Sequence, residues 1–197
     1  YNSLPNRINT TSATLENSLA ILYRDYDFFE EAAPLFKKVT EIRGSNLNNL
    51  SDDYLFVLLN YAYCLKQLKK YDQAEELYLQ ALKLHESKRE ENATSANTLN
   101  NLAEIYSEQG NHTAAEELFE DSRRIYKKEI GPESLEYINV NSNYGQTLQN
   151  LGRFDQALSI LKEVQNKKLL LYGTDHIEYA TSTILLASIY QDLDQYE

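Results

Sequence analysis

Asp175, His176 and Glu178 set two carboxylates and an imidazole close together, and Cys64, His85 and His112 add a thiol and two more imidazoles elsewhere. These side chains can ligate a metal or move a proton, but their spacing serves neither task. Helical metal sites place ligands one turn apart on one face, as in HExxH, and that signature does not occur. A helix start accounts for the 175–178 group: Asp175 accepting from the free amides of a first turn while Glu178 reaches back is a predicted capping box. His112 falls on a position otherwise held by aromatic residues, and Cys64 sits between Tyr63 and Leu65, so packing is the expected role of both. The pairs Glu30-Glu31, Glu75-Glu76 and Glu116-Glu117 recur where helices are expected to begin, and negative charge there meets the positive end of the helix dipole. The sequence contains no Gly-rich phosphate loop and no GxSxG elbow. The reading is therefore a non-catalytic chain with neither cofactor nor metal.

The residues with recognition chemistry are amides. Asn60, Asn101 and Asn143 recur at intervals of 41 and 42 residues, with Ser18 and Leu185 at the corresponding places on either side. An Asn side chain carries one acceptor and one amide donor group, so it can satisfy both groups of a peptide unit whatever that peptide's sequence. Asn17, Tyr63, Asn97, Asn100, Asn139 and Gln146 lie close by in the same segments, as do Lys66, Glu104 and Gln149.

The elements that must position them repeat with the same period. Ala20, Ala62, Ala103, Gly145 and Ala187 each sit in a helical pattern, and twelve residues on comes a second small residue, Ala32, Ala74, Ala115 or Ala157. Nine residues on comes an aromatic or His: Phe29, Tyr71, His112, Phe154 and Tyr196. Apolar spacing predicts first helices near 11–26, 52–68, 94–109, 134–151 and 176–193, and second helices near 28–43, 71–87, 112–129 and 154–171. Short turns make each pair antiparallel, and small residues facing bulky ones let the pair approach closely. The fold class is thus all-α, a solenoid of antiparallel helix pairs, with residues 1–10 as an extension and 11–197 as one array. Its repeats are 11–50, 51–92, 93–133, 134–175 and a partial 176–197. The last first helix has no second helix following it in this sequence, which predicts an apolar face and homo-association through it.

The run from Asn100 to Gly110 with Ala115-Glu-Glu-Leu-Phe119, and the joint Gly173-Thr-Asp-His-Ile-Glu-Tyr-Ala180, resemble the tetratricopeptide repeat (TPR) in the long form typical of kinesin light chains. Ile177 stands where that joint usually has Pro, and Asp27, Lys69 and Asp194 stand at turns where Gly is usual. The resemblance implies a right-handed superhelix whose first helices line a concave surface that binds a protein or peptide. On that surface the three Asn form a ladder. Helices about 8–10 Å apart against an extended rise of about 3.3 Å per residue match one Asn to roughly three peptide residues. TPR domains that clamp a terminal carboxylate use Lys or Arg deep in this groove. Arg24 and Lys66 fall at later helical positions, so a carboxylate clamp is not expected. Related arrays in bacterial proteins sit beside caspase-like CHAT proteases or nucleotide-switch ATPases, which gives a sensing region of such an effector as the alternative reading.

A formal charge of -11 opposes binding to a phosphate backbone, so nucleic acid is an unexpected partner. The absence of any apolar run of about 18 residues argues against a membrane span. The lone Cys64 has no internal partner for a disulfide, which fits a cytoplasmic location. Four sequons, at Asn9, Asn49, Asn92 and Asn111, read as incidental in so Asn-rich a chain.

Overall fold

Amphipathic stretches that cannot bury an apolar face alone must stack, and the computed structural model shows them doing so as helices throughout residues 4–45 and 51–196, the residues described. Side chains are described over 12–45 and 51–194. The looser joint expected at Gly44–Asn49 lies mostly outside these residues, as do Asn49 and the Asn9 and Tyr196 side chains. The packing divides the chain into two compact units, Tyr1–Glu90 and Glu91–Glu197, where the repeat pattern alone reads one array.

The first unit holds α1 (Leu4–Asp25), α2 (Phe29–Ser45), α3 (Asp52–Gln67) and α4 (Tyr71–Lys88). Within this unit α1 packs on α2, α2 on α3 and α3 on α4, and α1 also touches α3. The second holds α5 (Ala93–Glu108), α6 (His112–Glu129), α7 (Leu135–Asn150), α8 (Phe154–Tyr172) and α9 (Ile177–Tyr196), again packed in sequence, with further contacts of α5 to α7 and α7 to α9. Helix α1 starts at Leu4, inside the stretch read as an extension.

Ala20, Ala62, Ala103 and Gly145 are buried in the first helices, and Ala32, Ala74, Ala115 and Ala157 are fully buried in the second. Phe36, Tyr78, Phe119 and Leu161 recur at one position of the second helices, all buried, and fill the space beside them. Val39, Ala81, Ser122 and Val164 are buried at the next turn, where the Ser122 hydroxyl donates to the Ala96 carbonyl at 2.8 Å. That bond satisfies the one polar atom this position admits.

Two turns show packing overriding propensity. Asp27 and Lys69 adopt the left-handed backbone (φ 61 and 56) that Gly110 and Gly152 adopt at the equivalent turns. A side chain there costs about 1–2 kcal/mol, which docking of the following helix offsets. Asp194 takes no such turn and continues α9, so the helix break expected there does not form. Among the described residues nothing packs beyond α9 to offset the strain.

Near the ends of second helices, side chains fix the next first helix. Arg43 donates to the Asp53 carbonyl at 2.8 Å, and the buried Lys168 meets Glu178 at 2.7 Å. The corresponding residue in α4 is His85, 3 % exposed, with both ring nitrogens lacking a hydrogen bond among the described residues and Nδ1 3.8 Å from Glu90. Burial pushes its pKa below the ordinary imidazole value, outweighing the opposing pull of Glu90. The unfolded chain then binds the proton that the folded one refuses, so His85 costs stability progressively as pH falls through the unfolded value. Lowering pH from about 7 to about 5.5 should lower the urea midpoint, and His85→Leu should flatten that slope. An equally steep slope in the variant would assign the effect to another group.

Candidate interaction surface

The side chains with catalytic or ligating chemistry are dispersed. Asp175 accepts from the Thr174 hydroxyl, His176 accepts from the Glu178 amide at 3.2 Å and stacks on Tyr172, and the Glu178 carboxylate is held by Lys168. Helix α9 begins at Ile177, so the Asp175–Glu178 capping box does not form; the imidazole occupies the amide it would have used. The box that does form joins Asn92 and Ser95 at the start of α5, and Asn111 caps α6, so two sequon residues are helix caps. Burial pushes the Cys64 thiol up to about 12, leaving it a neutral core side chain at physiological pH. Among the described residues no three His, Cys, Asp or Glu side chains group as metal ligands, and no helix is long and apolar enough to cross a membrane.

In the second unit α5 and α7 bring amides together. Asn100 donates to Glu104 at 2.7 Å, and Asn143 donates to the same carboxylate oxygen at 2.8 Å and to the Asn100 carbonyl at 3.3 Å. Glu104 is therefore the acceptor that ties the two helices in register. Asn101, 7 % exposed, bonds back to the Asn97 backbone carbonyl at 2.8 Å and its side-chain carbonyl at 2.9 Å. Asn97, Asn139 and Gln146 are exposed on these helices. Gln149 reaches α9, donating to Ser188 at 3.1 Å and Asp192 at 2.5 Å.

In the first unit Asn60, also 7 % exposed, donates to the Phe56 carbonyl at 2.8 Å and accepts from the Arg24 guanidinium. Asn17 is half-buried. Tyr63 packs edge-on against Phe29 with ring centroids 5.9 Å apart, and the Lys66 ammonium lies 5.3 Å from the Tyr63 ring centre. Arg24 is thus a partner of Asn60, and its other end holds Asp25 at 2.6 Å.

Sequence reasoning missed Ser188, Asp192 and Arg24 as partners of the amides. It also missed the bridge between α6 and α7, where Arg123 donates to the buried Asn141 at 2.7 Å and lies 4.4 Å over the Tyr144 ring. Tyr144 donates to Glu120 at 2.7 Å, and burial followed by that bond holds its phenol well above the ordinary range. Cation and ring lie 21 positions apart in sequence, so no local pattern announces them.

A family model described as tetratricopeptide repeat matches residues 10–87, 94–167 and 136–197. Tetratricopeptide repeat protein 23 from Bos taurus is 27% identical over 177 residues, 88% of this chain and 40% of that protein. The Rattus norvegicus counterpart is 26% identical over 172 residues, 86% of this chain and 39% of its own length. The chain therefore spans about two-fifths of these curated relatives. Among solved structures, kinesin light chain TPR-like repeats from Podosopora anserina align at TM-score 0.76 and 21% identity over 97% of this chain and 89% of theirs. BtubC from P. vanneervenii aligns at 0.78 and 21%, over 95% and 74%. These likenesses show the fold: helix pairs of a TPR solenoid of kinesin light chain type.

Proposed function

Because the chain belongs to the tetratricopeptide-repeat family, whose repeats generally mediate protein–protein interaction, we propose that it is a non-catalytic, cytoplasmic scaffold binding an extended peptide or partner domain along its first helices. The observation that carries the reading is the α5–α7 face, where Glu104 fixes Asn100 and Asn143 while Asn97, Asn139 and Gln146 stand exposed beside them. Amides held in register offer donors and acceptors to a peptide main chain without requiring a particular side-chain sequence. Asn101 and Asn143 belong to this set, and Asn60, with Asn17 and Tyr63, supplies its counterpart in the first unit. A peptide N–H contacting Asn60 takes the place now held by Arg24.

Panning a randomised peptide library against the chain and measuring the selected peptides by calorimetry tests this. Replacing Asn97, Asn139 and Gln146 together by Ala should weaken binding roughly 10- to 1,000-fold, as three hydrogen bonds at about 0.5–1.5 kcal/mol each require. The triple change Asn60→Ala, Asn101→Ala, Asn143→Ala should also weaken it. Unchanged affinity in both variants, with helical spectra intact, removes the amide mechanism.

A second reading is favoured by α9, where Ile184 (69 % exposed), Ala187 and Tyr190 face outward. Homo-association through this helix would be dissolved by Ile184→Glu.

A further inference from the structure

The first helices of the second unit carry no cation. Lys and Arg are absent from α5, α7 and α9, and every one in residues 91–197 lies on α6, on α8 or in the turn between α7 and α8. The contrast is sharpest at one place in the repeat, where α1 and α3 put Arg24 and Lys66 but α5, α7 and α9 put Ser107, Gln149 and Gln191. Hydrogen bonds join these three helices into one face. Asn143 of α7 donates to Asn100 and Glu104 of α5, and Gln149 of α7 donates to Ser188 and Asp192 of α9. The second unit's cations are engaged elsewhere: Arg153 bonds Glu116, Lys167 meets Glu133 and Glu163, and Arg124 and Lys128 share Glu91. Of these cations only Lys168 reaches a carboxylate on a first helix, Glu178 in the first turn of α9.

Asp192 is held by a neutral donor, the Gln149 amide at 2.5 Å, which orients the carboxylate and leaves its charge uncompensated. Glu108 stands at the same place on α5 as Asp192 on α9, and it is exposed. A wall that carries carboxylates and no cation attracts positive charge and repels negative. We propose that the peptide bound on this face is cationic, with one Lys or Arg on Asp192 and a second on Glu108. The inference rests on the reading of this face as a peptide site: Asn97, Asn139 and Gln146 bond the main chain, and the two carboxylates fix its register. Equivalent places on α5 and α9 lie two helix spacings apart, about 16–20 Å, which an extended chain rising about 3.3 Å per residue covers in roughly five or six residues. Successive side chains of that chain alternate in direction, so two that face the same wall fall roughly six positions apart.

Selection of a randomised peptide library on the full chain, with calorimetry on the peptides it yields, tests the charge of the ligand. Lys and Arg should be enriched, in pairs roughly six positions apart. Asp192→Asn with Glu108→Gln should weaken binding roughly 2- to 30-fold, the fold-change of two exposed ion pairs, with the helical spectrum retained. Glu117→Gln with Asp155→Asn removes the same charge from α6 and α8 and should leave affinity unchanged. Charge exchange is the stricter measurement. Asp192→Lys with Glu108→Lys should bind a peptide whose two cations are replaced by Glu more tightly than it binds the parent peptide. Selected peptides without Lys or Arg, equal losses in the two neutralised variants, or a parent peptide still preferred after charge exchange each overturn the inference and leave the peptide reading in place. A selection that yields no binding peptide overturns both.

Discussion

Gly145→Ala should lower the stability of the second unit by up to about 2 kcal/mol, although alanine is the better helix former. The substitution sits mid-helix in α7, where propensity alone would favour it by about 0.8–1 kcal/mol. A Cβ built there meets the Leu161 Cγ and Cδ2 at 2.7 Å, and Leu161 is fully buried in α8. The branch point of a buried side chain cannot swing aside, so helix or leucine must shift, and overpacking of this kind costs about 1–3 kcal/mol. A double-mutant cycle with Leu161→Ala separates the terms. The new methyl enters space the leucine vacates, so the double variant should be more stable than the sum of single effects predicts, by about 1 kcal/mol or more. Urea unfolding followed by circular dichroism checks it. Additive costs would mean that Leu161 is not what excludes the methyl group. The other three repeats place Ala20, Ala62 and Ala103 opposite Phe36, Tyr78 and Phe119 in the pattern, so the glycine coincides with the only branched residue at that place.

Phe119→Ala should cost more, about 3–5 kcal/mol. Phe119 is 1 % exposed in the core that α5 to α9 share, alongside Ala103, Ala115, Tyr144 and Leu161. Truncation loses the transfer energy of the ring and leaves a hole that the fully buried alanines around it are too small to fill. Domains are typically stable by about 5–15 kcal/mol, so this one change removes a large share of the margin. Hydrogen exchange should show protection falling most in residues 91–197, the unit whose core contains the ring. Equal loss of protection across residues 1–90 would mean that the two units open together.

Much of the fold was legible because its causes are local and repeated. Helix positions follow from apolar spacing, so eight of the expected spans lie within a few residues of the observed ones, and α1 differs chiefly at its beginning. The candidate surface was legible only in part. Asn60, Asn101 and Asn143 share a place in the repeat, but they do different things: Asn60 holds Arg24, Asn101 bonds within α5, and Asn143 crosses to Glu104. Identical residues at identical spacing diverge because the groups within reach differ: a guanidinium donor for Asn60, a carboxylate acceptor on the neighbouring helix for Asn143, and the Asn97 carbonyls of its own helix for Asn101.

The sequence by itself determined the period, the helix pairs, the family resemblance and the alternation of small and bulky core residues, since each depends on side chains within one repeat. Tertiary structure alone decided the partners of the amides, the left-handed turns at Asp27 and Lys69, the cap formed by His176 in place of Asp175, and the division at Glu90. It also decided that one apolar face is buried on α3 while, among the described residues, the equivalent Leu15, Leu19 and Leu22 of α1 are exposed, because burial depends on which helix lies alongside.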